Sequence, residues 1–191
     1  MLPYAKLFFF DLETTGVDHT KHGLTQISGK IVINKVEVER FNWHVRPYDG
    51  CEIDEEALAA THLTKEEVMQ YPTEAEIYPQ VEKMLDKYVS KFDKKDKFFM
   101  VGYNVSGFDN VFFRDFFERN GNKYFGSYFW SVPLDVMIKA QFKLVLQRDE
   151  MPDFKQGTVA KQLGIPVDDE KLHDATYDID ICHEIFKKVV V

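Results

Sequence analysis

The chain lacks most of what would mark a secreted, membrane-spanning or disulfide-stapled protein. It has two cysteines, Cys51 and Cys182. That is too few for a disulfide framework, and their separation fits no zinc-site spacing. No run approaches the ~20 apolar residues that cross a bilayer. The opening MLPYAKLFFF has no basic segment, long apolar stretch or small-residue cleavage site of a secretion signal. No membrane segment is expected, and a cytoplasmic location is. Repeats, low-complexity tracts and Gly/Ser linkers are missing too, which predicts one domain over 1–191. Dense positive charge is also absent. Lys and Arg number 24 against 32 Asp and Glu, for a net charge of −8. The single basic cluster, KFDKKDK at 91–97, alternates with acids and reads as a solvated loop. Proteins that hold nucleic acid by neutralising its backbone are usually basic. If this chain handles nucleic acid, bound cations must supply much of the local positive charge.

What is present is aromatic. Phenylalanine alone accounts for 17 of 191 residues, enough for one large core. Strands are expected at 4–12, 23–33 and 36–45, with a turn at Asn34-Lys35, then at 97–103 and 130–135. Between Asp54 and Lys91 the pattern is helical in pieces. Asp54 caps the first piece, Thr64-x-x-Glu67 forms a capping box, and Pro79 starts or kinks the helix that carries VEKMLDKYV. Helices are also expected at 107–120, closed by Asn120-Gly121, and from Asp135 to Leu146. The loop 146–156 comes next, then a helix capped by Thr158 and ended by Gly164-Ile165-Pro166. A last helix is capped by Asp174. A strand hairpin followed by alternating strands and helices implies a mixed α/β layer fold.

Residues 8–16 read FFFDLETTG. Strand side chains alternate faces, so Asp11 and Glu13 share one. Two acids beside a core run repel each other and resist desolvation. The same anomaly recurs twice. Asp109 shares a helix stripe with Phe112, Phe113 and Phe116, and Asp178 shares one with Ile181, Cys182 and Ile185. A lone acid on an apolar stripe is usually a cap or a helix-end residue. Three elements that each turn an acid inward are harder to explain so. A buried carboxylate cluster is protonated, paired or metal-bound. Basic residues on those faces are scarce, and oxygen-only ligands favour Mg²⁺ or Mn²⁺ over zinc. Two such ions form the clamp that nucleases use for attack at phosphorus. His173 stands just outside the last helix, five residues before Asp178. An unperturbed histidine, with a pKa near ~6.5, suits proton removal from water.

These residues, in this order, resemble the DEDD superfamily of 3′→5′ exonucleases in its DnaQ-like, DEDDh branch, which includes the polymerase III epsilon proofreading subunit. The first motif is Asp11-Leu12-Glu13-Thr14-Thr15-Gly16. The second is GYNVSGFDNVFF (102–113), and the third runs from His173 to Asp178. The tyrosine branch needs Tyr where Asp174 stands. The segments 52–68, 134–142 and 158–166 are also similar to the family, while the second motif has one residue more between Asn104 and Phe108 than many members.

The resemblance implies a ribonuclease H-like fold, with a mixed five-stranded sheet flanked by helices. It implies that Asp11, Glu13, Asp109 and Asp178 bind two Mg²⁺ or Mn²⁺ ions, with Asp11 between them. His173 would be the general base, and nucleoside 5′-monophosphates would leave from a free 3′ end. Thr14, Thr15, Gly16 and Asn104 would meet the terminal nucleotide or a water. The oligoribonuclease subfamily usually has Met where Thr14 stands, so single-stranded DNA is favoured over RNA. The chain ends with its last helix, so no polymerase-tethering tail is expected. A silent binding module on the same fold is the alternative, which five retained catalytic positions argue against. A metal-dependent phosphatase or endonuclease is a third reading.

Overall fold

The computed structural model describes residues 5–172 and 174–190. The central strand β1 (Lys6–Thr14) pairs antiparallel with β2 (Leu24–Ile33), which pairs antiparallel with β3 (Val36–His44). Asn34 and Lys35 join the last two, with φ of 52° and 69°. Two successive left-handed residues match the twist of a tight hairpin, and they sit where the sequence placed the turn. On the other side of β1 lies β4 (Phe98–Gly102), running parallel, and then β5 (Leu134–Asp135). The order β3-β2-β1-β4-β5 is the mixed five-stranded sheet that the resemblance implied. Only two residues of the expected strand at 130–135 join it, because Pro133 has no N–H to give a ladder.

Among the described residues eight α-helices flank the sheet: α1 (Glu55–Ala60), α2 (Lys65–Val68), α3 (Glu74–Tyr88), α4 (Asp109–Arg119), α5 (Phe125–Tyr128), α6 (Val136–Leu144), α7 (Gln156–Gln162) and α8 (Ala175–Val190). The alternation of β1 divides them. Phe8, Phe10 and Leu12 face a core shared with Phe112, Phe113, Phe116 and Phe117 of α4 and with Val81 and Leu85 of α3. The Phe113 ring lies 5.2 Å from Phe10 and 6.0 Å from Phe8, within the range where aromatic pairs attract. Phe9 faces the opposite core, with Val136 and Ala140 of α6 and Ile179, Cys182 and Ile185 of α8. Asp11 and Glu13 continue the Phe9 face beyond that core.

Helix starts follow local chemistry. Asp54 accepts from the Glu56 amide, and Thr64 with Glu67 makes the expected capping box. Thr73 and Glu76 repeat that box and start α3. Pro79 therefore lies inside the helix and does not start it. Thr158 does not cap α7. The helix begins at Gln156, and the Thr158 hydroxyl donates to Asp153 Oδ1 at 2.6 Å. Asp153 also accepts the Lys155 amide, so the turn is built one step earlier than expected. Part of the expected loop 146–156 is ordered as a 3₁₀ turn over Val145–Glu150. Asp174 accepts from the Tyr177 amide at 2.9 Å, at the head of α8 as expected. Both cysteines are free thiols. Among the described residues no helix is long and apolar enough to cross a membrane.

Candidate active site

The site forms where β1 outruns its neighbour. The β1–β4 ladder ends at Phe9↔Val101, while the β1–β2 ladder runs on to Thr14. The chain leaving β4 turns through 103–108 and enters α4, whose first residue is Asp109. Asp109 is 3% exposed, and its Oδ1 accepts the Leu12 amide at 3.0 Å. A side chain thus takes the hydrogen bond that the lost strand partner would have taken. The Phe stripe of α4 locks this arrangement from below. Asp11 and Glu13 lie half-buried on the neighbouring face, and α8 carries Asp178 over them.

The electrostatics show that the acids share one space. Burial raises the Asp11 carboxyl well above its ordinary value, and Asp109, Glu13 and Asp178 raise it further. Glu13 is pushed up to about 7, by burial first, then by Asp178, Asp109 and Asp174. Asp109 also reaches about 7. Burial there outweighs the two amides that stabilise its charge, those of Leu12 and of Asp109 itself, and nearby Asp135 adds to the rise. Among the described residues, no three His, Cys, Asp or Glu side chains are grouped so that they could hold a metal ion. By its chemistry the donor set fits hard divalent ions: four carboxylates, oxygen only, three of them (Asp11, Glu13 and Asp109) disfavoured as anions by burial and by neighbouring acids.

The remaining expected site residues are placed as follows. Thr14 donates its hydroxyl to the Gly16 carbonyl at 2.8 Å. Thr15 is fully buried, donates to the Glu52 carbonyl at 2.7 Å and accepts the Gly23 amide at 3.0 Å. Both hydroxyls hold the turn that follows β1. A Cβ on Gly16 would meet the His22 ring at 2.3 Å, so glycine is required there by close approach. Asn104 is exposed and left-handed, with φ 64°. His173 lies outside the described residues.

Three residues escaped the sequence reading. Asp135, 6% exposed, accepts the amides of Asn104 (3.2 Å), Ser106 (3.0 Å), Met137 (3.1 Å) and Ile138 (3.4 Å). It caps α6 and holds the loop leading to Asp109. Its signal was an Asp directly before an apolar helix. Lys30, 3% exposed, sits across from Phe9 on the acid-bearing face. Its signal was a lysine interrupting the apolar strand GKIVI. Gln156 donates from Nε2 to the Asp178 carbonyl at 2.8 Å, and nothing in its local sequence marks it.

No curated protein sequence matches the chain. Solved structures do. Escherichia coli exonuclease I in complex with a dT13 oligonucleotide aligns over 97% of this chain and 41% of that one, at 20% identity and a TM-score of 0.75. The same enzyme with a dA16 oligonucleotide aligns over 97% and 40%, at 21% identity and 0.74. Its zinc-bound complex with single-stranded DNA aligns over 98% and 40%, at 20% identity and 0.75. Likeness at this identity carries the fold, which is ribonuclease H-like. The chain spans about two fifths of the length of the solved chains it matches. The family model described as RNase T exonuclease matches residues 8–186. That match runs through β1, α4 and α8, the three elements that supply the acids, and the chain belongs to this exonuclease family.

Proposed function

We propose that this chain is a metal-dependent 3′→5′ exonuclease that releases nucleoside 5′-monophosphates from single-stranded nucleic acid, with DNA favoured over RNA. One observation supports it most directly: Asp11, Glu13 and Asp109 are raised together at the end of β1, with Asp178 among the causes for the first two. Such a cluster is unfavourable in isolation and gains from a cation. These four residues would hold two Mg²⁺ or Mn²⁺ ions, which when bound supply charge at phosphorus and acidify water. Asp109 fixes one edge through Leu12, and α8, packed against β1, would supply Asp178. His173, next to the Asp174 cap, is the proposed base that takes a proton from the attacking water. The exposed Asn104 lies on the loop leading into the site, where a nucleotide would arrive. DNA is favoured because the solved relatives carry deoxyoligonucleotides.

The test uses 5′-labelled single-stranded DNA and RNA of one sequence, in Mg²⁺, Mn²⁺ or EDTA, with Asp11→Ala alongside. A metal-dependent ladder shortening from the 3′ end, absent in the variant, is expected. Cuts within a circular substrate would indicate an endonuclease. Binding with no cleavage would indicate a silent module.

A further inference from the structure

Lys30 is the described lysine whose burial is hardest to account for. Lysine is almost never fully buried unless paired, yet Lys30 is 3% exposed in the middle of β2. Its Nζ lies 2.5 Å from Asp180 Oδ1 and 3.8 Å from Glu37 Oε2. Arg40, its register partner on β3, donates to Asp180 from Nη2 at 2.8 Å and from Nη1 at 3.2 Å. Two strands therefore grip one carboxylate of α8. That carboxylate is two residues beyond Asp178. On the opposite flank, Gln156 of α7 holds the Asp178 carbonyl.

We propose that Lys30 and Arg40, acting through Asp180, are positioning residues that set the rotation and height of α8 and so aim Asp178 at Asp11 and Glu13. This rests on the reading of Asp178 as a metal ligand. Apolar residues in place of both partners of a buried ion pair often serve stability as well or better, and Asp180, half exposed and also held by Arg40, is not left unpaired when Lys30 alone is replaced. What the pair adds is direction, since a charged fork admits one setting of a helix that apolar packing would leave free to turn or slide. The Lys30 ammonium is committed to Asp180 and Glu37.

The test is direct Mn²⁺ binding, followed by calorimetry and by the resonance signal of the free ion, in wild type, Asp180→Asn, Lys30→Met and Arg40→Gln, with thermal unfolding of each. Arg40 is exposed enough for its variant to fold in any case. Charge alone makes opposite predictions for the variants. Removing Lys30 or Arg40 deletes a positive charge and should tighten Mn²⁺, whereas Asp180→Asn should weaken it. The clamp predicts that all three weaken Mn²⁺, by about 10-fold for Asp180→Asn and Lys30→Met and by less for Arg40→Gln. Lys30→Met should keep or raise the melting temperature. Wild-type binding with unchanged or tighter binding in the lysine and arginine variants would overturn the clamp and leave the metal site standing. No Mn²⁺ binding by wild type would instead overturn the site assignment, and the clamp with it.

Discussion

The Asp109 carboxylate accepts the amide of Leu12 across 3.0 Å, between two residues that are 97 positions apart in the chain. That bond ties the first acidic strand to the helix bearing the third acid, and it gives Asp109 a structural role separable from its charge. Asp109→Asn keeps an oxygen acceptor for Leu12 and removes the charge. Asp109→Leu removes both. With Asp109 as the proposed metal ligand, both variants are expected to lose exonuclease activity. Only the leucine variant should lose stability, by about 1–3 kcal/mol for the orphaned amide. Urea unfolding beside the oligonucleotide assay separates the two roles.

The acids also set how stability depends on pH. Glu13 and Asp109 are held near 7 in the folded chain, against ordinary values of 4.5 and 3.8. From about pH 4 to 7 the folded state keeps protons that the unfolded state has released, so the stability these groups give falls as pH rises. His183 works in the other direction. Burial against Phe9 lowers it from 6.5 to about 4, so between those values the unfolded state binds the extra proton. Above pH 6.5 that opposition fades as the unfolded histidine loses its proton, while the acids are still releasing their folded-state protons around 7. The melting temperature of the EDTA-treated protein should fall between pH 6.5 and 8. Glu13→Gln or added Mn²⁺ should flatten the slope, and a flat or rising wild-type profile would contradict the shared acid site.

Much of this site was legible because each acid broke a local pattern. Asp11 and Glu13 interrupt a strand face, and Asp109 and Asp178 interrupt helix stripes, so periodicity alone exposed them. Lys30 broke a pattern equally, yet one lysine in a strand has no meaning until Asp180 is known to lie 150 residues on and against it. Asp135 drew no notice because the two amides it takes beyond its own helix come from a distant loop. Gln156 has no pattern to break. Of the two roles expected for Pro79, the helix start is excluded for a local reason: Thr73-x-x-Glu76 is the same box as Thr64-x-x-Glu67 and begins the helix six residues earlier.

Asp135 should prove among the most sensitive residues outside the acid cluster. It is nearly buried and serves four backbone amides from two segments. Asp135→Ala removes a helix cap, worth about 0.5–2 kcal/mol, and orphans the Asn104 and Ser106 amides as well. A total loss of roughly 2–4 kcal/mol is expected in urea unfolding. Asp135→Asn keeps an acceptor oxygen and should recover part of that loss. If the alanine variant were as stable as wild type, this carboxylate would not be what holds the loop before Asp109.

Asn104 allows its backbone and its side chain to be judged apart. Its φ of 64° is a conformation that glycine adopts freely and asparagine tolerates. Its amide is held by Asp135 whatever the side chain is. Asn104→Gly therefore leaves the turn intact and relieves its strain, so melting temperature should stay level or rise slightly. If the carboxamide meets the substrate or a water, kcat/KM on an oligonucleotide should fall about 10-fold, roughly the worth of one hydrogen bond at ~1.4 kcal/mol. Unchanged kcat/KM would mean that asparagine is there for the turn alone. A drop in stability would show instead that the side chain supports the loop, a role that none of its contacts described above suggests.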